Sequence, residues 1–136
     1  MVAKIILFAA LIYTSAIAYF SLIVMDFKVS VGGFNPTDKM LHAGAYLFLA
    51  FLWKLYFLFK NTHFKRYTSN LLWVAFASFI FGMLIEVLQG TLTSYRTPDW
   101  WDVLANSTGV VLAVLFFMVM APTMKKIKHK VAQLNY

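Results

Sequence analysis

Apolar and polar residues alternate in long blocks along the chain, and four of these blocks are strongly apolar. They cover approximately residues 5–25, 40–59, 71–88 and 103–120. Each block is about 18–21 residues long, which is the length that a helix needs to cross roughly 30 Å of hydrocarbon. The pattern therefore predicts four transmembrane helices joined by short polar connections.

The four segments are predicted to be helices rather than strands. A backbone in lipid must satisfy its own hydrogen bonds, and the chain lacks the regularly spaced turn dipeptides of a barrel. Pro36 and Pro98 each suit the first position of a helix, behind Asn35 and Thr97 as N-caps. The predicted fold is an all-α integral membrane four-helix bundle in one domain, residues 1–136, with helices at about 5–25, 38–59, 70–90 and 99–121.

The first apolar segment has one feature of a cleaved signal peptide. Ala16-Ile17-Ala18 resembles a signal-peptidase site. However, the apolar run continues to Met25, and only Lys4 precedes it. We therefore expect this segment to be retained as the first transmembrane helix.

Composition supports lipid as the surrounding solvent. Hydrophobic residues make up 62% of the chain and charged residues 12%, whereas a soluble domain usually has roughly 25% charged residues. So much apolar surface cannot be buried within 136 residues, because small domains leave much of their surface exposed. The chain has no cysteine, which excludes disulfides, thiolate nucleophiles and zinc–thiolate sites.

The basic residues predict the orientation in the membrane. The side that holds both termini and the second loop carries nine of the twelve lysines and arginines, namely Lys4, Lys54, Lys60, Lys65, Arg66, Lys125, Lys126, Lys128 and Lys130. The opposite side carries Lys28, Lys39 and Arg96, together with all five acids, Asp26, Asp38, Glu86, Asp99 and Asp102. We therefore expect both termini to be cytoplasmic. The net charge of +7 then belongs to a tail that contacts anionic lipid, and no nucleic-acid partner is predicted.

Three predicted helices carry polar residues to the same depth, near the outer boundary of the membrane. Asp38, His42 and Tyr46 are spaced i, i+4, i+8 and share one helical stripe. The third helix adds Glu86 and Gln89. The start of the fourth helix adds Asp99, Asp102 and Asn106, with Lys39 and Arg96 as nearby cations. Each residue also has a structural explanation: the aspartates suit helix N-termini, His42 and Asn106 can form internal hydrogen bonds, and Tyr46 can fill the core.

Of these polar residues, Glu86 is the one whose position is least explained by a structural role in the helix bundle. It lies inside the third apolar segment, where an isolated carboxylate costs several kcal/mol. Glu86 must therefore pair, bind a proton or face a polar cavity. Lys39, His42 and Arg96 are the predicted partners on that side of the membrane.

Small residues predict where the helices approach closely. Ala105, Gly109 and Ala113 form one small-residue face on the fourth helix, and Ser78 and Gly82 form another on the third. Such faces allow close helix packing in membranes. This packing would bring the polar residues of the three helices together.

The combined motif residues resemble the VanZ-like membrane protein family over about residues 37–113. The matching positions are Asp38, Lys39, His42, Tyr46, Glu86, Gln89, Arg96, Asp102, Asn106 and Gly109. The chain departs from the family pattern at Ala43, at Ser94-Tyr95 and at Ala113. The resemblance implies a bacterial, multi-pass protein of the cytoplasmic (inner) membrane. The family is named for an accessory glycopeptide-resistance protein, but the resemblance implies no particular reaction.

The polar residues and the family resemblance allow two functions. The first is a non-catalytic accessory module whose outer pocket binds a cell-envelope lipid, a peptidoglycan precursor or a membrane partner. Its predicted binding residues are Asp38, Lys39, His42, Tyr46, Glu86, Gln89, Arg96, Asp99, Asp102 and Asn106, and Lys39 and Arg96 suit phosphate or carboxylate groups. The second is an intramembrane enzyme acting on a lipid head group, with His42, Glu86 and Asp102 as candidate catalytic residues. The sequence favours the first.

Cofactors and partners are predicted only in outline. No cofactor is expected, and one histidine without cysteine in the cluster disfavours zinc. A divalent cation on Glu86, Asp99 and Asp102 is the alternative, because carboxylates suit magnesium and calcium. Membrane lipids are the expected partners, with an envelope protein complex or a homo-oligomer as further candidates. A purely structural cluster and a transport role are the remaining alternatives.

Overall fold

The computed structural model describes residues 1–23, 36–61, 64–92 and 99–134, which form a bundle of helices. In chain order these are α1 (Val2–Leu22), α2 (Pro36–Lys60), α3 (Tyr67–Leu92), α4 (Trp100–Val119) and α5 (Ala121–Leu134), with a short 3-10 turn (Phe64–Arg66) before α3. The described residues include no strand. Four helices, α1 to α4, are long and apolar enough to cross a membrane. The predicted all-α membrane bundle is thus confirmed, while the cytoplasmic placement of the termini stays a prediction.

Helix α2 lies at the centre of the bundle. It packs on α4 over the largest area and also contacts α1 and α3, whereas α1 lies at the edge and contacts mainly α2. Large apolar side chains such as Phe8, Ile12, Phe76 and Val119 are exposed on the outside of the bundle. This distribution is the reverse of a soluble protein, and it suits a surface that faces lipid tails.

The closest helix contact joins α2 and α4 at Gly109. A Cβ atom added to Gly109 would lie 2.0 Å from the backbone oxygen of Ala43 and 2.8 Å from the backbone nitrogen of Leu47. Only a glycine allows the two backbones to approach so closely. Ala105 and Ala113, one turn away on either side, are buried as well. The predicted small-residue face of α4 is therefore confirmed.

The small-residue face of α3 makes a different kind of contact. Gly82 and Ser78 are buried, and a Cβ atom at Gly82 would lie 3.0 Å from Cε1 of Tyr46 and 3.4 Å from Nδ2 of Asn106. Gly82 therefore leaves room for side chains rather than for a neighbouring backbone. Through these side chains, α2 and α4 meet α3 in the interior of the bundle.

Two predicted helix starts can be compared with the structure. Pro36 is the first residue of α2, as expected, and its predicted N-cap Asn35 lies outside the described residues. The prediction that α4 begins at Pro98 is wrong, because Asp99 is the N-cap of a helix that begins at Trp100. The Asp99 side chain accepts a hydrogen bond of 2.9 Å from the Trp101 backbone N–H. A carboxylate caps the first turn well, which explains the later start.

The basic tail forms a helix that the sequence analysis did not predict. The chain turns at Met120, because Pro122 has no N–H to continue the hydrogen-bond pattern of α4. In α5, Met124, Ile127 and Val131 recur at helical spacing between lysines. Met124 is buried against Tyr67 and Phe117. The start of α5 thus packs on the bundle through Met124, whereas Ile127 is exposed.

The Gly109 contact gives a direct test of the fold. We expect Gly109→Ala to lower the free energy of unfolding by at least about 2 kcal/mol, because the added methyl group overlaps the α2 backbone. Thermal or denaturant unfolding in detergent micelles measures this change. The matched control is Gly44→Ala, since a Cβ at Gly44 meets nothing within 4 Å. Equal stability of the two variants would contradict the close α2–α4 contact.

Candidate functional site

The polar residues gather at the end of the bundle where α2 and α4 begin and α3 ends. We call this the acidic end, and we define it by Asp38, Glu86, Asp99 and Asp102. Helices α2 and α4 run in the same direction from this end. Their contact at Gly109 therefore sets the first turns of the two helices side by side.

The Lys39 ammonium group lies among three carboxylates. Its Nζ donates a hydrogen bond of 2.6 Å to Oδ2 of Asp99 and a second hydrogen bond to Oδ1 of Asp102. It also lies 3.5 Å from Oδ2 of Asp38. We call these four residues the Lys39 cluster. Among the described residues, three carboxylates thus surround this one ammonium group.

Burial makes the ion pair with Asp102 strong. The Asp102 side chain is only 4% exposed and that of Lys39 is 13% exposed, whereas the Asp99 side chain is 40% exposed. An ionised carboxylate so well buried needs a charged partner. Asp102 and Lys39 thus form the inner part of the cluster, and Asp99 closes it on the solvent side.

His42 connects the Lys39 cluster to the interior. Its Nδ1 lies 3.1 Å from Oδ1 of Asn106, within hydrogen-bond distance. Its Nε2 lies 3.7 Å from Oδ1 of Asp102 and 3.8 Å from Oδ1 of Asp38. Those two distances are too long for hydrogen bonds, so the contacts are electrostatic. The Nδ1 side of the imidazole is therefore held by Asn106, and its Nε2 side faces the carboxylates of Asp38 and Asp102.

Below His42, three buried polar side chains surround Gly82. They are Tyr46, Glu86 and Asn106, each at most 4% exposed. The Tyr46 hydroxyl and Asn106 Nδ2 have no hydrogen-bond partner among the described residues. Buried polar atoms usually bond to protein or to water. This interior position is therefore suited to a water molecule or to a polar group of a ligand.

A cleft between α1 and α2 leads to the polar residues. It has a volume of about 340 Å³, and Asp38, His42 and Tyr46 line its α2 side. Its α1 side is formed by Tyr13, Ala16, Ile17, Phe20 and Ser21. The Tyr13 hydroxyl donates a hydrogen bond of 3.2 Å to the Ala45 carbonyl and holds the two helices together at the deep end. The cleft is thus apolar along most of its length and polar at the acidic end.

The structure brings most of the predicted site residues together. Direct contacts link six of them, namely Asp38, Lys39, His42, Asp99, Asp102 and Asn106. Tyr46 and Glu86 are buried nearby and interact electrostatically with each other. Gln89 instead donates a hydrogen bond of 2.6 Å to the Ser21 carbonyl and ties α3 to α1. Arg96 lies outside the described residues.

Two features of the site differ from the sequence-based predictions. The sequence predicts that Lys39 binds anions or pairs with Glu86, but its ammonium group is held by Asp99 and Asp102. The α1 wall of the cleft was not identified among the site residues. The only sequence signal for it is Tyr13, a hydroxyl group in the middle of an otherwise apolar segment.

The cluster also includes a candidate set of metal ligands. Asp38, His42 and Asp102 each offer one ligand atom within 4.8 Å of the others, which differs from the predicted set of Glu86, Asp99 and Asp102. However, Lys39 donates a hydrogen bond to the Asp102 carboxylate, at Oδ1. A divalent cation would have to displace or repel this ammonium group. The arrangement therefore suits an ammonium group better than a metal ion.

The fold and the cluster define a multi-pass helical membrane protein with an ion-paired polar site at one end. The VanZ/LLP1 family model matches residues 4–121, which is most of the chain. The protein therefore belongs to the VanZ/LLP1 family, and the resemblance seen in the motif residues is confirmed. No curated protein and no solved structure matches the chain.

Lys39 is expected to be the main electrostatic support of the site. Lys39→Met leaves Asp99 and Asp102 side by side without a cation, and we expect it to lower the free energy of unfolding by about 3 kcal/mol. Asp102→Asn in the same background should restore at least half of that loss, because it removes the buried uncompensated charge. Unfolding in micelles measures both effects. Lys60→Met, at an exposed lysine of the same helix, is the control and should change stability little; a similar loss there would contradict this role.

The pH dependence of stability tests Asp99. Burial by itself would raise the pKa of the Asp99 carboxyl, but hydrogen bonds from Lys39 and from the Trp101 backbone N–H outweigh it and hold the pKa below 3.8. The unfolded state then binds the proton more readily, so this stabilisation is present above about pH 4 and is lost as the pH falls through the folded-state pKa. We expect Asp99→Asn to be less stable than the wild type at about pH 6, with the difference narrowing towards about pH 3. A difference that does not change with pH would contradict this assignment.

Proposed function

We propose that this protein is a non-catalytic membrane module that binds a cell-envelope lipid in the cleft between α1 and α2. The observation that carries the proposal is the composition of the cleft. Asp38 and His42 lie at its acidic end, and apolar side chains such as Ile17, Phe20 and Leu41 form most of the rest of its wall. A lipid has the same division into a polar head group and apolar chains. The volume of about 340 Å³ is within the range of known ligand sites.

The acids beside the cleft indicate the class of head group. Asp38 is the carboxylate that lines the cleft, and Oδ1 of Asp102 lies 3.7 Å from Nε2 of the cleft residue His42. Lys39 is already hydrogen-bonded to two carboxylates, so it has little capacity to bind a phosphate group. A head group that carries a protonated amine can donate its N–H groups to the Asp38 carboxylate in the cleft. We therefore infer a lipid with an amino head group as the ligand.

The expected location of the protein fits this ligand. With the basic residues on the cytoplasmic side of a bacterial inner membrane, the acidic end faces the outer leaflet. Lipids and lipid-linked precursors of the cell envelope would reach the cleft laterally, because α1 lies at the edge of the bundle. An accessory role in the envelope follows from binding of this kind.

Catalysis on a lipid head group is less well supported by the arrangement. The predicted mechanism used His42 and Glu86 as candidate bases. His42 lines the cleft, but Glu86 is not among the residues that form its walls. The two groups therefore do not face a common substrate position in the cleft. Conversion of a bound lipid by the pure protein would overturn this part of the proposal.

Competition between two zwitterionic lipids tests the proposal. Phosphatidylethanolamine and phosphatidylcholine carry the same net charge, but only the first has N–H donors on its head group. We expect native mass spectrometry of the purified protein to show a preference for phosphatidylethanolamine of about tenfold, which corresponds to about 1.4 kcal/mol. Asp38→Asn and His42→Ala should each remove most of this preference.

A matched variant separates the cleft from the cluster. Asp99→Asn removes the same charge as Asp38→Asn, but Asp99 does not line the cleft. Asp99→Asn should therefore keep most of the preference for phosphatidylethanolamine. Equal retention of both lipids by the wild type would contradict the proposal. So would a co-purifying protein, rather than lipid, that is lost in Asp38→Asn.

A further inference from the structure

Lys54 is a buried cation at the opposite end of the bundle from the Lys39 cluster. It lies in the membrane-spanning part of α2, and only 1% of its surface is exposed. Its Nζ donates a hydrogen bond of 2.6 Å to the Tyr67 carbonyl and lies 3.6 Å from the centre of the Tyr67 ring. Both partners are uncharged. These contacts hold α2 against α3, but they do not neutralise the ammonium group.

The chain supplies no described carboxylate for Lys54. It has five acidic residues. Four of them, Asp38, Glu86, Asp99 and Asp102, lie at the acidic end, and the fifth, Asp26, is outside the described residues. Helix α2 separates Lys54 from Asp38 by four turns of helix. The counter-charge for Lys54 must therefore be sought beyond the acids that the structure describes.

A second lysine lies near Lys54, at the same end of the bundle. Lys128 of α5 donates a hydrogen bond to the Asn61 carbonyl at the end of α2. Burial lowers the pKa of the Lys128 ammonium group. Lys54 and Lys128 line one small cavity together with Asn61, Tyr67 and Asn70. Two ammonium groups therefore face the same space, and none of the residues lining it is acidic.

The size of the cavity indicates what it can hold. Its volume is about 10 Å³, which is about the smallest volume that can hold one water-sized group. An oxygen atom of a larger anion fits such a space, while the rest of the anion lies at the mouth, beside the half-exposed Lys128. Each lysine has three donors and uses one of them for a carbonyl group. Donors thus remain for an anionic oxygen.

We propose that Lys54 and Lys128 form a phosphate-binding site at this end of the bundle. The ligand is a phosphate group, carried by an anionic lipid of the adjacent leaflet or present as the free ion. The proposal rests on a buried and a half-buried cation that share a cavity, and on the position of the four described acids at the other end. It is independent of the lipid cleft between α1 and α2, which opens near the acidic end.

The test uses two phosphate sources and three lysine variants. The full-length protein in detergent is titrated with phosphatidylglycerol, followed by native mass spectrometry, and separately with inorganic phosphate, followed by phosphorus NMR. The variants are Lys54→Met, Lys128→Met and the control Lys125→Met. Lys125 is an exposed lysine on the same helix as Lys128. All three variants remove one positive charge, so only the position of the charge differs.

We expect Lys54→Met to weaken phosphatidylglycerol binding at least tenfold, Lys128→Met at least fivefold, and Lys125→Met less than twofold, because only the first two lysines line the cavity. The same ranking with inorganic phosphate would support the site with the free ion as ligand. Equal effects of all three variants would show general attraction to a basic surface and would overturn the proposal. Unchanged binding in all three would overturn it as well. If Lys54→Met does not fold, the comparison of Lys128→Met with Lys125→Met decides.

Discussion

The contact of α2 with α4 at Gly109 is the constraint on which the site depends. Two helix backbones can approach this closely only where one of them has no side chain, and here the neighbour of Gly109 is the backbone of Ala43. Lys39 lies one turn before Ala43 in α2, and His42 directly precedes Ala43. The contact therefore sets the Lys39 ammonium group against Asp102, and the His42 ring against Asn106. If the helices were further apart, Asp102 would be a buried charge without a partner.

The distribution of charge gives the two ends of the bundle different chemistry. At the acidic end, three of the described carboxylates surround the Lys39 ammonium group, and a cleft between α1 and α2 opens beside them. At the other end, Lys54 and Lys128 share a cavity without a described acid. Buried charges in an apolar surrounding require compensation. At the acidic end Lys39 supplies part of this compensation, and at the other end the phosphate group that we propose would supply it.

Much of the fold could be predicted from the sequence, and the reasons for success and failure are physical. Helix length and apolar content predicted α1 to α4, and small residues predicted the close approach at Gly109. The i, i+4 spacing of Asp38 and His42 placed them on one face, but spacing within one helix does not say which neighbour that face meets. For this reason the pairing of Lys39 with Asp99 and Asp102 was not predicted. Helix α5 was not predicted because its three apolar residues are spread among lysines. The burial of Lys54 was not predicted either, because it depends on a contact with Tyr67 in another helix.

The central claim is that the cleft between α1 and α2 holds a lipid whose head group meets Asp38 and His42. The most direct measurement is an electron cryomicroscopy structure of the protein in nanodiscs made from native membrane lipid. The account predicts continuous density for an acyl chain along Ile17 and Phe20, with the head group within hydrogen-bond distance of Asp38. A cleft closed by α1, or a lipid whose head group lies at the Lys54 end, would contradict it.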